Sequence, residues 1–174
     1  MKEMHLKQSV ERIALKTIKG NKISVDLNKE PLTVLVFLSP ECPLCKNYSV
    51  VLNKIAEKHP DKLQLLGIVP GKAYSNKEVK HFIKEYKLQF PVLIDPSKEL
   101  SNTLKAKVTP EVIAISNTGE IIYGGAIDDW VRALGQKTIR PENHYLDDAI
   151  SKYLNGEPVL VKQTVARGCF INEF

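Results

Sequence analysis

The stretch Leu32-Thr33-Val34-Leu35-Val36-Phe37-Leu38, then Ser39-Pro40-Glu41, then Cys42-Pro43-Leu44-Cys45, decides the fold. Residues 32–38 are apolar on both faces, as in a central strand covered by helices on each side. This longest apolar run has strand length and falls far short of the ~20 residues a membrane span needs. From Pro43 the pattern turns helical. Tyr48, Leu52 and Ile55 fall at i, i+4 and i+7 with Val51 beside them, and His59-Pro60 ends the helix. Two cysteines therefore stand at a junction where a buried strand becomes a helix.

Upstream, residues 13–18 and 23–27 flank Gly20-Asn21 and predict a hairpin. Downstream, residues 63–69 predict a second buried strand. Ser75-Asn76-Lys77-Glu78 is a capping box that starts a helix with Val79, Phe82, Ile83 and Tyr86 on one face. Pro91-Val92-Leu93-Ile94 predicts a short strand. Asp95 is expected to cap, and Pro96 to start, a short helix ending near Lys105. Thr109-Pro110 leads into a strand over 111–115, which Asn117-Thr118-Gly119 turns back into a strand over 120–123. Ala149, Ile150, Tyr153 and Leu154 mark a last helix from about Asn143, and residues 159–174 carry no helical pattern. Strands alternating with helices imply an α/β fold with a mainly parallel central sheet, and the closing hairpin supplies antiparallel edge strands.

The chain has 174 residues, the size of one domain with a real core, and it shows no repeat or splitting linker. Residues 1–174 are read as a single domain in which 155–174 form a C-terminal tail. The net charge of +5 comes from 25 Lys+Arg scattered against 20 Asp+Glu, without a basic stripe interleaved with aromatics. Nucleic-acid binding is therefore not expected, and a membrane span is not expected either. Met1-Lys2-Glu3-Met4-His5-Leu6-Lys7 contains no apolar signal core. That fits a cytoplasmic protein or a periplasmic one whose export signal was removed.

Three cysteines, Cys42, Cys45 and Cys169, do not make a disulfide framework. The Cys-x-x-Cys carries the chemistry. The free N–H groups and dipole at a helix N-terminus stabilise an anion, so the Cys42 thiol should titrate below the ~8.5 of free cysteine. Cys45 lies one turn later on the same side, deeper and within bridging reach. One attacking and one resolving sulfur are the minimal kit for thiol–disulfide exchange. Pro43 suits the first turn, where its missing N–H costs nothing. Lys46 would help the thiolate and Glu41 oppose it. Two blander readings compete. A Cys-x-x-Cys can be half of a zinc site, but His5, His59, His81, His144 and Cys169 show no ligand spacing to complete it. The cysteines can also be inert core residues. Thr109-Pro110 is an ordinary trans strand start or a cis-proline loop whose Thr109 backbone is free to pair with an extended substrate.

Taken together, the 32–38 strand, Cys42-Pro43-Leu44-Cys45 opening a helix, and Val108-Thr109-Pro110 before a hairpin resemble the thioredoxin superfamily. The segment from Ser75 through Lys105 resembles the insertion of its redoxin branch, which includes alkyl hydroperoxide reductase/thiol-specific antioxidant (AhpC/TSA) proteins and ResA/TlpA-like oxidoreductases. Phe90-Pro91-Val92-Leu93-Ile94-Asp95-Pro96 and Tyr123-Gly124-Gly125-Ala126-Ile127-Asp128-Asp129 are similar to stretches of that branch. The resemblance covers about residues 13–154. It implies a thioredoxin-like fold: a central mixed sheet flanked by helices, with an N-terminal hairpin and a βα-type insertion before a cis-proline. It implies Cys42 as nucleophile, Cys45 as resolving thiol and Pro110 as the cis-proline beside them, with Thr109-Pro110 holding the substrate.

Departures from the pattern matter. Glu41 stands where thioredoxin has Trp, and Pro43-Leu44 where it has Gly-Pro. Thioredoxin's buried Asp falls at Val36, and the ResA-like active-site Glu falls near Tyr48. Asp128 or Asp129 could substitute as proton shuttle, but a solvated loop is the expected place for both. The peroxiredoxin signature lacks its Pro in either register (Leu35 or Leu38), and Arg132 is its one nearby candidate for activating peroxide. A Sco-like copper chaperone needs one more residue between the cysteines.

Thr164-Val165-Ala166-Arg167-Gly168-Cys169-Phe170-Ile171 resembles a tail found on some redoxin-domain proteins. Cys169 is either a bystander thiol or a third redox thiol on a tail folded over the active site. His59 is expected at a helix C-terminus, His144 in the first turn of the last helix, His81 on a solvated face and Trp130 in packing. The expected function is thiol–disulfide exchange with protein dithiols or disulfides, reset by a separate reductant or oxidant, with no metal or organic cofactor. A thiol peroxidase and a redox-inactive interaction module are the alternatives.

Overall fold

The computed structural model describes residues 2–133 and 135–171, so the last three residues of the predicted tail lie outside the described part. Its first half runs α1 (Lys2–Arg12), β1 (Leu15–Thr17), β2 (Lys22–Ile23), β3 (Leu32–Phe37), α2 (Pro43–Lys58), β4 (Leu63–Pro70) and α3 (Asn76–Glu85). Then follow β5 (Val92–Asp95), α4 (Glu99–Thr103), β6 (Val108–Thr109), β7 (Glu111–Ser116) and β8 (Ile121–Gly125). The chain ends with β9 (Val131–Ala133), β10 (Gln136–Lys137), α5 (Tyr145–Leu154) and β11 (Cys169–Phe170).

Seven strands form one mixed sheet in the order β2-β1-β5-β4-β3-β7-β8. Central β3 is parallel to β4 and antiparallel to β7, and every one of its residues is buried. Its alternation builds two cores, one on each face. Val34 and Val36 pack with Tyr48, Leu52 and Ile55 of α2, Val79 and Phe82 of α3, and Leu146 and Ile150 of α5. Leu35 and Phe37 pack on the opposite side with Val10 of α1 and Leu100 of α4. The thioredoxin-like α/β architecture is the one the resemblance implies, and α2, β4 and the 75–78 capping box fall where the periodicity puts them. The sheet is not mainly parallel, however: only β3–β4 and β4–β5 pair in parallel, because the β1–β2 and β7–β8 hairpins both join it antiparallel, with β7 inside the sheet next to β3.

Several local expectations need correction. Helix α1 was not anticipated, although Leu6, Val10 and Ile13 stand at i, i+4 and i+7 and pack into the second core. The second arm of the hairpin pairs only through Lys22 and Ile23. Val25 and Leu27 instead leave the ladder and fill that same core. Asp95 does not cap a helix. It ends β5, and α4 begins at Glu99 behind Lys98, which sits at φ 60°. The buried Asp95 carboxylate instead accepts from the Ser101 backbone N–H and hydroxyl, both at 3.0 Å, tying α4 to the sheet. Helix α5 starts at Tyr145 rather than 143, with His144 as its N-cap. Among the described residues no helix is long and apolar enough to cross a membrane.

The box at α3 is reciprocal: the Ser75 hydroxyl accepts from the Glu78 N–H, and the Glu78 carboxylate accepts from the Ser75 N–H at 2.7 Å. Ser75→Ala is expected to lower the unfolding free energy by about 1 kcal/mol in urea titrations. An unchanged midpoint and slope would show that the cap contributes nothing.

Candidate active site

The register of β3 against β7 builds the site. Phe37 lies opposite Glu111, so the chain leaving β3 and the residues just before β7 emerge at the same end of the sheet. Cys42 follows on one side and Thr109-Pro110 on the other, with the Thr109–Pro110 bond cis. As a thiol, Cys42 donates through Sγ to the Thr109 carbonyl oxygen at 3.3 Å.

Cys42 is the N-cap of α2 and Pro43 occupies the first turn. Its sulfur is held down to a pKa of about 5, chiefly by a hydrogen bond from the Cys45 thiol. Burial opposes this, while the Cys169 thiol and the Cys45 backbone N–H add to it. The sulfur stands at the N-terminus of α2, whose dipole favours a thiolate. Cys45 behaves oppositely. It is 1% exposed, and burial pushes its thiol well above the ordinary range, reinforced by the hydrogen bond to Cys42 and by that group's charge. The Ser39 backbone N–H reaches its Sγ at 3.5 Å. The pair thus combines an anionic sulfur in front with a protonated one behind.

Asp128 and Asp129 are not solvated. Asp128 is buried, and its Oδ1 accepts from the Tyr48 hydroxyl at 2.5 Å and the Trp130 N–H at 2.9 Å. Burial first, and Asp128 second, push the Tyr48 phenol upward, so it stays a neutral donor. Trp130 packs edge-on against Tyr48 at 5.6 Å. Tyr48 lies one turn beyond Cys45 on α2, so this trio anchors the helix that carries both cysteines. Asp129 holds the approach to α5, accepting from the Glu142 and Asn143 N–H groups at 2.8 and 3.1 Å. Burial would raise its pKa, but these bonds outweigh burial and lower it.

Arg132 is exposed and pairs with Glu142 at 3.3 Å. His81 is exposed and pairs with Glu85, and His59 caps the end of α2. Among the described residues no group of three His, Cys, Asp or Glu side chains is placed to hold a metal.

The tail does fold over the site. Residues 162–164 run along the edge strand β8, where the Gly124 N–H bonds the Lys162 carbonyl and the Thr164 N–H bonds the Gly124 carbonyl, both at 3.0 Å. The Thr164 hydroxyl also accepts from the Ala126 N–H at 2.9 Å. Strand β11 then pairs antiparallel with β6, setting Cys169 opposite Thr109. The Cys169 thiol donates to Cys42 Sγ at 2.8 Å, and no disulfide joins any of the three cysteines. Sequence reasoning missed the Tyr48–Asp128 bond and the second strand pairing. Periodicity carries no signal for either, and only the odd cysteine hinted at the tail.

The AhpC/TSA family model matches residues 6–124, so the chain belongs to that family. It is 32% identical over 109 residues to sporulation thiol-disulfide oxidoreductase A of Bacillus subtilis (strain 168). That match covers 62% of this chain and 66% of the relative, just under two thirds of its length. The crystal structure of StoA from Bacillus subtilis superposes with a TM-score of 0.57 at 26% identity, covering 82% of this chain and 98% of that one. A hypothetical protein from Sinorhizobium meliloti 1021 superposes with a TM-score of 0.80 at 24% identity, covering 91% and 88%. Residues 125–174, the tail among them, lie beyond the family match.

Alkylation of the reduced protein at Cys42 by iodoacetamide is expected to rise with a midpoint near pH 5. Cys45→Ala removes the largest cause and should move the midpoint up toward the ~8.5 of free cysteine. A wild-type midpoint already near ~8.5 would contradict the geometry.

Proposed function

We propose that this chain is a thiol-disulfide oxidoreductase acting on protein substrates. The opposite shifts of the two motif cysteines carry the reading. A nucleophile must be anionic to attack, and a resolving thiol must stay protonated until its turn. In the reducing direction the Cys42 thiolate attacks one sulfur of a substrate disulfide. The substrate S–S bond breaks, a Cys42–substrate bond forms and the second substrate sulfur leaves as a thiolate. Cys45 then loses its proton and attacks Cys42 Sγ. The substrate's other sulfur departs and takes up a proton, leaving a Cys42–Cys45 disulfide. The two electrons end on the substrate, and a separate dithiol partner returns the pair to its reduced form. Running the same steps backward donates a disulfide. Neither direction calls for a metal or an organic cofactor.

Thr109 and Pro110 hold the substrate backbone beside Cys42 in this scheme. The contact between the Cys42 sulfur and the Thr109 carbonyl supports that role. The whole chain acts as one redoxin domain, with 155–174 as its tail. The oxidoreductase name of the Bacillus relative agrees with this reading. Arg132, pointed away into a surface ion pair, gives no support to peroxide activation.

With dithiothreitol as reductant, the protein should accelerate insulin disulfide reduction, and Cys42→Ser should fall to the uncatalysed rate. Hydrogen peroxide consumption under the same conditions should stay at background. Wild-type turnover by Cys42→Ser, or rapid peroxide consumption without insulin reduction, would refute the proposal.

A further inference from the structure

Cys169 is not a lone thiol near the motif. It is carried by a strand that occupies the position beside Thr109 proposed above for the substrate backbone. Two fastenings hold it there. The first is the bonding of residues 162–164 to Gly124 and Ala126 on the sheet edge. The second is the β6–β11 pairing, extended by the Ile171 N–H to the Lys107 carbonyl at 2.9 Å, with Ile171 buried in the second core. Between them the chain arches over a cleft of about 470 Å³, bounded by residues 163–168 on one side and by Lys105, Lys107 and Glu111 on the other. Gly168 makes the close approach possible, because a Cβ there would lie 2.0 Å from the Thr109 carbonyl oxygen.

We propose that strand 169–170 is a built-in surrogate for the substrate strand, and that Cys169 is a third redox thiol which resolves adducts on Cys42 by forming a Cys42–Cys169 disulfide. The proposal rests on Cys42 being the nucleophile, as argued above. With a small disulfide such as oxidised glutathione, the Cys42 thiolate first breaks the glutathione S–S bond and releases one glutathione thiolate. Cys169 then gives up its proton and attacks Cys42 Sγ. The Cys42–glutathione bond breaks, the second glutathione leaves and takes the proton, and a Cys42–Cys169 bond forms. Two protein thiols have been oxidised and one glutathione disulfide reduced, so electrons balance. The same strand makes any extended peptide that approaches Thr109 compete with the tail. Its apparent affinity is then reduced by the fraction of time that the tail is docked.

The test uses the full chain carrying Cys45→Ser, which removes the motif's own resolving thiol. Treated with oxidised glutathione and analysed by intact mass and peptide mapping, it should lose two hydrogens and yield a cross-linked Cys42–Cys169 peptide pair. Adding Cys169→Ser should leave a glutathionyl group on Cys42. Adding Gly168→Ala, which keeps every thiol but drives the strand off Thr109, should slow cross-link formation at least about tenfold. A stable glutathione adduct in Cys45→Ser, or cross-linking as fast with Gly168→Ala, overturns this proposal and leaves the nucleophile assignment standing. Neither adduct nor cross-link at Cys42 would overturn both.

Discussion

The hydrogen bonds that converge on the Cys42 sulfur are the constraint around which the site is arranged. They come from the Cys45 thiol and backbone N–H and from the Cys169 thiol. All require Cys42 at the N-cap of α2, with Thr109 held opposite. The pairing of Phe37 with Glu111 provides both, because it brings the end of β3 and the start of β7 to one place. A slip of one residue in β3 would send Val34 and Val36 to the face of Leu35 and Phe37. Burial on both faces of this strand, with different helices covering each, makes such a slip costly. The chemistry at the end of the sheet is therefore fixed by packing in its middle.

A second layer keeps α2 where the cysteines need it. Tyr48 reaches from that helix to buried Asp128, which also binds the Trp130 backbone. A buried carboxylate is tolerable only with such partners. Asp128 therefore acts on the site through Tyr48, as an anchor of the helix. Asp129 next to it faces the other way and organises the entry to α5.

What the sequence made legible follows the range of the interactions involved. β3 and α2 are written in local periodicity, and the α3 cap lies within residues 75–78, so each could be read in place. The Cys-x-x-Cys at a strand-to-helix junction was equally local. Asp128-Asp129 after a hairpin looks like any polar loop until the partners from residues 48 and 142–143 are present. α1 carries its apolar stripe through a segment dense with charge, which masks it. The tail depends on a two-residue pairing between Cys169 and Thr109, sixty positions apart and without any periodic mark. Cys-x-x-Cys spacing likewise says nothing of how the third cysteine bears on the first.

The reduction potential of the Cys42/Cys45 pair, measured by equilibration in glutathione buffers, tests the central claim most directly. Thioredoxin's attacking cysteine titrates near ~7 and its couple lies near ~−270 mV. Lowering that titration to about 5 favours the dithiol form at neutral pH, because the thiolate is stabilised. The gain is roughly fiftyfold, or about 50 mV at ~30 mV per tenfold. The expected two-electron couple lies at about −220 mV, more oxidising than thioredoxin. A potential at or below ~−270 mV, or no disulfide between Cys42 and Cys45 at any poise, would contradict it.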